Sequence, residues 1–441
     1  MVYSEYNMKI SKKLCFCLLL VGVFAFVPFA GASADSGRYF VKSTKGFWKN
    51  SLSARNSFDN GFTADLSDFQ VRFAKLFGVE VEPVAVLQIL PDENLTLDKD
   101  SAEPTETPTK APSPTPTPSS TKIPTSGIIK GQKGVVRYVP SDQTPWGIET
   151  IYNDLKIAST SGGLGTKVVV LDTGVNINHP DLKNRVAQCK DFTNLRFPVI
   201  NNSCDDGNGH GTHVAGIVAA DGGTDKLGIY GVAPAAKLFA YKVCGANGSC
   251  YADDIAMGLR TAADQGANVV NMSFGTDKDI PLIRDAVNYA VSKGVLLVAA
   301  AGNDGPFPDS IDYPAAYASV VAVGAVGKSS SGELTVAGWS SRGINLSTKL
   351  GVIEDRDIEF AAPGDSIEST WNNGGYVVLS GTSMASPFVA GLAAKYWQSG
   401  AENKLRAATT RSFLRSLAVD ILPVVGEDNY SGFGLPQVPK Q

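Results

Sequence analysis

The chain has 441 residues, of which 43% are hydrophobic, so it can bury a large core and is long enough for two or three domains. With 39 basic and 43 acidic residues the formal net charge is -4. No basic footprint for nucleic acid is present, and no block of like charges marks a polyionic partner.

In chain order, Lys9, Lys12 and Lys13 precede an apolar run from Leu14 to Val27. Ala32-Ser33-Ala34 then supplies small residues before Asp35. This pattern predicts a signal peptide over residues 1–34 and a secreted protein, extracellular or in the cell envelope. An uncleaved anchor is the competing reading of the same stretch. No later segment reaches the roughly 20 apolar residues of a membrane span, so no membrane contact is expected after cleavage. Of the six cysteines, Cys15 and Cys17 lie in the leader. Cys189, Cys204, Cys244 and Cys250 remain, and an even count in an exported chain favours disulfides. Three pairings are possible. The local pairs Cys189–Cys204 and Cys244–Cys250 are preferred because each closes a polar, turn-rich segment. A zinc set around Cys204, His210 and His213 is disfavoured, since no CxxC pair accompanies it.

Residues 35–90 read as a small α+β domain. Arg38 to Lys42 predicts a strand. Leu66, Phe69, Phe73 and Phe77 recur at helical spacing, with Ser67 as cap and Gly78 as stop. Val79 to Ile89 reads as strand material interrupted at Pro83, and Thr44 to Ser57 shows no obvious helix. About 55 residues fold only marginally alone. Residues 91–137 are a linker, in which Pro104, Pro108, Pro112, Pro114, Pro116 and Pro118 alternate with Thr, Ser and Glu and favour extended conformations.

From residue 138 to 441, apolar strand-like runs alternate with helical patterns. The predicted fold is a doubly wound α/β domain with a mostly parallel sheet covered on both faces. Its strands include Val168–Leu171, Lys237–Val243, Val269–Met272, Val295–Ala301 and Ser319–Val326. In such a sheet, functional groups gather at the carboxyl ends of the strands.

Three segments carry chemistry. Gly381-Thr382-Ser383-Met384-Ala385-Ser386-Pro387 places a serine at the start of a small-residue helix. Free N–H groups there suit an oxyanion forming beside the hydroxyl. Pro387 fits the first turn, because the carbonyl it leaves without a partner belongs to Ser383 at the helix entrance. A serine at a helix start is by itself more often only a cap. Asp172 follows a buried strand and precedes Thr173-Gly174, a position where an isolated Asp often just closes a turn. His210 stands in Asp206-Gly207-Asn208-Gly209-His210-Gly211-Thr212-His213, followed by a small-residue helix. His213 reads as structural and His179 as a loop residue.

Together, DTG, HGTHVAG and GTSMASP, in the order Asp172, His210, Ser383, resemble the subtilisin family of serine peptidases over nearly all of 145–434. The resemblance implies that Ser383 attacks the peptide carbonyl, His210 takes and returns the proton, and Asp172 fixes the imidazole tautomer. It also implies that Asn303, after the strand ending in Ala301-Gly302, donates to the oxyanion together with the Ser383 N–H. By similarity, Ser273, Phe274 and Gly275 line the primary substrate pocket, and Gly248 and Ser249 form an edge that pairs with substrate backbone. Asp304 at the pocket rim and Asp312 near its base are expected to favour Lys or Arg on the acyl side of the scissile bond. Arg137–Tyr138 is then a self-processing site, with Lys130 and Lys133 as alternatives.

Residues 35–90 resemble the family's inhibitory, fold-assisting propeptide. The missing first helix and the long linker argue against insertion of its tail into the active site. A cell-envelope tether or binding module is the other reading of this piece. No cofactor is expected for the chemistry. Asp142, Asp181 and Asp225, the last in the loop Asp221–Asp225, are by similarity expected to surround a structural Ca²⁺. The expected function is a secreted serine endopeptidase. An α/β-hydrolase esterase is excluded, because no GxSxG elbow surrounds Ser383 and the acid precedes the histidine and serine. A non-catalytic surface-binding protein on the same fold is the alternative.

Overall fold

The computed structural model describes residues 37–90, 127–128, 135–397, 403–421 and 426–440. The leader with Cys15 and Cys17, most of the linker, Lys130 and Lys133 lie outside them. The chain divides into two compact units, Met1–Pro83 and Val84–Gln441.

In the first unit, strands β1 (Gly37–Val41), β2 (Ser57–Phe58), β3 (Gly61–Leu66) and β4 (Val81–Pro83) form an antiparallel sheet in the order β2-β3-β1-β4. Helix α1 (Gly46–Ser51) lies where no helix was expected. The six-residue helix has no side-chain cap, so its sequence gives little sign of it, and tertiary packing stabilises it. Trp48, 7% exposed, joins Val41, Leu52, Phe62, Ala64 and Leu66 in a core.

Helix α2 (Asp68–Leu76) starts at the expected cap. The Ser67 side chain accepts from Gln70 N, and the Gln70 side chain accepts from Ser67 N at 2.9 Å. Gly78, at φ 74°, follows its end. Its aromatic stripe is only partly buried. Phe73 packs on the core, whereas Phe69 and Phe77 stay exposed, Phe69 stacked on Phe73 and Phe77 tilted against its other side.

The second unit is an α/β domain with a mainly parallel sheet. Its central strands are β6 (Lys167–Asp172), β7 (Val186–Asp191), β8 (Ile200–Asn201), β9 (Lys237–Lys242), β11 (Val269–Met272), β13 (Leu296–Ala300), β14 (Val321–Lys328) and β15 (Leu334–Val336). They lie in the order β8-β7-β9-β6-β11-β13-β14-β15, and β16 (Phe360–Pro363) also pairs with β14. The five predicted strands coincide with observed ones to within two residues at either end. Val168–Leu171 and Val298–Ala300 are almost wholly buried, which is why they read as continuous apolar runs.

Two helices pack on this sheet and on each other, α4 (His210–Ala219) and α7 (Thr382–Lys395). Both are rich in Gly and Ala because their backbones approach neighbours closely. A Cβ on Gly391 would lie 2.6 Å from Val232, and one on Gly216 2.3 Å from the hydroxyls of Ser369 and Thr370. Three further strands form a small separate sheet. β5 (Val86–Ile89) lies between β10 (Ser249–Tyr251) and β12 (Phe274–Gly275), antiparallel to both. The long linker was expected to argue against insertion of this tail into the active site, yet the tail lies between the two strands that carry Ser249 and Gly275, both expected substrate contacts. The tail is seated by residues N-terminal to the linker, so linker length does not restrain it. The cysteines pair locally as expected, Cys189 with Cys204 and Cys244 with Cys250.

Candidate active site

Three elements converge at the carboxyl end of the central sheet. Strand β6 ends in Asp172, which is 1% exposed. The ring of His210, the first residue of α4, meets it, with Nδ1 2.8 Å from Asp172 Oδ1. Thr173 N donates to the same oxygen at 2.7 Å. The close approach depends on Gly211, where a Cβ would lie 2.1 Å from the Gly174 carbonyl and 3.0 Å from Asp172 Cβ. Any larger residue would push the helix, and the imidazole with it, away from the carboxylate.

Asp206 holds the entrance of that helix. One carboxylate oxygen accepts from Thr173 Oγ1, Asn208 N and Gly209 N at 2.7–3.0 Å. The other accepts from Thr212 N at 2.9 Å and Thr212 Oγ1 at 2.6 Å. Sequence reading missed this residue. Its signal was an Asp in the turn before the helix, able to satisfy free N–H groups there. His213 is structural as expected. Its Nε2 donates to the carbonyls of Ile367 and Val377 at 3.0 and 3.1 Å, and burial first, then the nearby His210, lower its pKa to about 3. His179 is fully buried and its Nε2 donates to the Gly375 carbonyl at 3.0 Å, with burial lowering its pKa to about 4. Neither ring carries a proton charge near neutrality.

Ser383 enters from α7 and is fully buried. Its Oγ donates to the Ser273 carbonyl at 3.0 Å, and Ser273 Oγ donates back to the Ser383 carbonyl at 3.0 Å. The second bond satisfies the carbonyl that Pro387 leaves without an intrahelical donor. Strand β11 runs parallel beside β6 with Met272 opposite Leu171, so the next pair sets Ser273 level with Asp172. The carboxylate, the imidazole bonded to it and the serine bonded to Ser273 thus share one sheet edge.

Asn303 stands at the same edge. Its Oδ1 accepts from Thr382 N at 3.0 Å and Thr382 Oγ1 at 2.9 Å, which fixes the direction of the amide. A carbon built on Gly381 would lie 3.5 Å from Asn303 Nδ2 and 3.7 Å from Ser383 N. Two nitrogens with hydrogens to give therefore border one small space, the arrangement that holds a developing oxyanion. Thr382 was not anticipated as the residue that aims this amide.

Beside this space, Gly275 and Gly302 face the Asp312 carboxyl, which a Cβ on either would approach to 2.7 or 3.0 Å. Asp312 is 5% exposed, and burial first, then the charges of Asp304 and Asp277, raise its pKa to about 7. Asp304 is exposed, and its backbone N donates to Ser341 Oγ at 3.1 Å. Phe274 is fully buried. Gly248 and Ser249 form the opposite edge, with Gly248 O and Ser249 Oγ bonded to β5. Arg137 is engaged elsewhere, since its N donates to the Tyr376 carbonyl and its carbonyl accepts from Tyr376 N at 2.7 Å.

The expected calcium ligands are brought together only in part. Asp181 is fully buried, Tyr376 Oη and Ile229 N donate to its Oδ2 at 2.8 and 2.9 Å, and its Oδ1 has no hydrogen-bond partner among the described residues. Burial raises its pKa to about 6, with Asp221 and Asp225 adding to the rise. Asp181 Oδ1 and Asp225 Oδ1 flank the same open face of Gly223, 3.0 and 3.1 Å from where its Cβ would stand. Asp142 instead accepts from Thr144 N at 3.0 Å, turned back on its own chain, while Gln143 reaches the loop through the carbonyls of Lys226 and Gly228. Among the described residues no three His, Cys, Asp or Glu side chains converge enough to hold a metal by themselves. The orphaned, buried Asp181 oxygen nevertheless suits a hard cation whose shell is completed by carbonyl and amide oxygens.

Comparison with known proteins agrees with this geometry. The model of the subtilase family matches residues 163–434. The chain is 50% identical over 308 residues to a subtilisin of Bacillus sp. (strain TA39), covering 68% of this chain and 73% of that one. It is 41% identical over 254 residues to Subtilisin Savinase of Lederbergia lenta, covering 58% and 84% respectively. Among solved structures, Sphericase aligns with a TM-score of 0.65 at 51% identity, over 68% of this chain and 99% of that one. The S41 psychrophilic protease gives 0.64 at 50% identity, over the same shares.

Proposed function

Since this chain belongs to the subtilase family and is a serine endopeptidase acting on protein substrates, we propose that Ser383 is its nucleophile. His210 is the general base and then the general acid, and Asp172 the group that fixes the imidazole. The observation that carries this reading is the 2.8 Å contact between His210 Nδ1 and Asp172 Oδ1, at the sheet edge where Ser273 holds Ser383. With Nδ1–H committed to the carboxylate, Nε2 is left as the basic nitrogen that takes the serine proton. Attack by Oγ gives a tetrahedral oxyanion, which Asn303 Nδ2 and Ser383 N stabilise. The imidazolium then returns its proton to the departing amine, and water hydrolyses the acyl-enzyme by the same steps.

The pocket between Gly275 and Gly302 selects Lys or Arg, because Asp312 at its buried end and Asp304 beside it offer negative charge to a cationic side chain. The protein is exported. The leader over residues 1–34 supports this, as do the disulfides Cys189–Cys204 and Cys244–Cys250, which persist in oxidising compartments. Among the described residues no helix is long and apolar enough to cross a membrane. Residues 35–90 act as a propeptide partner, and Ca²⁺ binds Asp181 and Asp225 as a structural ion without taking part in the chemistry.

Labelling with a serine-directed fluorophosphonate, read by intact mass, tests the central assignment. One adduct on the wild type and none on Ser383→Ala is expected. Equal labelling of both, or undiminished proteolysis by the variant, would place the nucleophile elsewhere.

A further inference from the structure

Helices α1 and α2 of the first unit carry apolar side chains that the unit's own core does not cover. Phe69, Phe73 and Leu76 recur at helical spacing along α2, with Phe77 at its end, while Ala74 is the residue the helix buries. Of the four, Phe73 packs on the core. Phe69, Leu76 and Phe77 are 72%, 81% and 53% exposed, and Phe47 of α1 is 63% exposed. Trp48 joins the two helices, its ring centroid 5.2 Å from that of Phe47 and 6.1 Å from those of Phe73 and Phe77. Single exposed apolar residues are ordinary, but several large ones around one aromatic cluster form a patch of the kind that meets a partner.

The charges around this patch are nearly all of one sign. Lys45, Lys49, Arg72 and Lys75 lie on or beside the two helices, against a single carboxylate, Asp68. The whole chain, by contrast, has a formal net charge of -4. Among the described residues none of these four cations forms a salt bridge, whereas Lys42, just past β1, is held by Glu80 and Glu82 at 3.0 and 2.9 Å.

We infer that this face of α1 and α2 docks on an anionic phospholipid surface, with Phe47, Phe69, Leu76 and Phe77 entering the interface and the four cations meeting lipid phosphates. Apolar side chains rimmed by Lys and Arg are what an interfacial helix presents to such a bilayer, where burial of hydrocarbon and attraction to headgroups add together. Binding of this kind is peripheral. The absence of apolar spans beyond the leader bears on crossing a bilayer, not on lying against one. A second copy of the chain is a poorer occupant, because twofold pairing of the patch with itself would set four cations against four. The leader expected over residues 1–34 ends just before Gly37, where β1 starts, so export brings this unit to the bilayer ahead of the catalytic domain. Loss of residues 35–90 during maturation then frees the catalytic domain from the surface. That consequence rests on the propeptide reading, whereas the docking itself does not.

Flotation with lipid vesicles tests this on the leaderless chain, residues 35–441, carrying Ser383→Ala so that it is not cut during the experiment. Vesicles of phosphatidylglycerol and phosphatidylcholine in equal parts are expected to carry the protein, and vesicles of phosphatidylcholine alone are not. Binding to the mixed vesicles should weaken as salt is added, because the headgroup field is screened beyond a Debye length. Arg72→Gln with Lys75→Gln should lower the affinity roughly fivefold for each charge removed. Phe69→Ser with Leu76→Ser should lower it by about tenfold. All four side chains are exposed, so both double variants should keep the parent melting temperature. Failure to float with the anionic vesicles overturns the inference. So does parent affinity in either double variant, which would put the lipid contact elsewhere, and so does equal binding to both vesicle types, which would remove the charges from it. A lipid-free dimer in light scattering that is lost in Phe69→Ser/Leu76→Ser, with no flotation, would assign the patch to a second copy instead. None of these readouts uses the activity of released enzyme, so failure of the propeptide reading would leave them standing.

Discussion

Ser273 and Ser383 are joined by two reciprocal hydrogen bonds, each hydroxyl donating to the other's carbonyl at 3.0 Å. The pair ties the end of a parallel strand to the first turn of the helix that carries the proposed nucleophile. It also explains how Pro387 is tolerated inside that helix, because the carbonyl the proline strands finds its donor across the sheet edge.

Asn303 has two separable duties. Its Oδ1 anchors Thr382, and its Nδ2 faces the space shared with Ser383 N. Asn303→Asp keeps an acceptor for Thr382 but removes the donor. The expected result is a kcat lower by on the order of 100- to 1000-fold, the range seen when one oxyanion donor is removed from a subtilisin. KM and the melting temperature should change little. Steady-state kinetics with a peptide amide beside a thermal melt checks both, and a large fall in Tm with kcat preserved would assign Asn303 to structure alone.

Much of this site was legible because its groups sit in short, contiguous motifs whose glycines have a steric cause. Gly211 is dictated by the Gly174 carbonyl 2.1 Å from its missing Cβ. The central strands were legible because burial on both faces leaves them apolar throughout. What escaped reading depends on distant partners. Helix α1 has no cap and is held by Trp48 in a core built from other segments. Asp206 holds N–H groups and hydroxyls at the entrance of α4 and left only a faint local sign, an Asp in the turn before the helix, whereas Gln143 reaches the carbonyls of a distant loop that nothing beside it in the sequence marks. The seating of Val86–Ile89 was missed because it depends on backbone pairing to β10 and β12, which the linker's composition does not reveal.

Asp312 should make substrate choice depend on pH. Its carboxyl has a pKa raised to about 7 by burial, then by Asp304 and Asp277, so it is neutral below that pH and negative above. The ratio of kcat/KM for a Lys substrate over a Leu substrate is therefore expected to rise as pH passes through 7. Taking the ratio cancels every pH effect that both substrates share. Asp312→Asn should flatten the ratio and lower it at pH 8. A wild-type ratio constant from pH 5.5 to 8.5 would remove Asp312 from specificity. For stability the sign is opposite to that of a salt-bridged acid. The raised pKa disfavours the charged form in the folded state, so this group's contribution to stability falls as pH climbs from about 4 to 7.

The Cys244–Cys250 bridge closes the loop that carries Gly248 and Ser249, and Cys244 N donates to the Asp172 carbonyl at 3.1 Å. It fixes the edge on which an extended chain pairs, without touching the reacting atoms. Replacing both cysteines with serine should raise KM roughly five-fold, equivalent to about 1 kcal/mol, with kcat nearly unchanged. Kinetics on a substrate long enough to pair with the edge, compared with a single-residue ester, checks this. A penalty of equal size on the short ester would show that the loop acts on the catalytic groups instead.

Calcium binding at Asp181 and Asp225 should appear in the melting curve. The unpartnered Oδ1 of Asp181 is buried, and the raised pKa of about 6 reflects burial first and then the neighbouring carboxylates Asp221 and Asp225. A bound cation would hold the carboxylate ionised and supply the missing partner. At pH 8, chelation is expected to lower Tm and added Ca²⁺ to restore it, by an amount that grows with free ion as mass action requires. Protonation competes with the ion, so the Ca²⁺-dependent gain should shrink as pH falls through 6. Asp181→Asn should reduce the gain at every pH while leaving the Asp172–His210 contact untouched. Equal melting temperatures with chelator and with millimolar Ca²⁺ at pH 8 would show that the loop carboxylates are merely solvated.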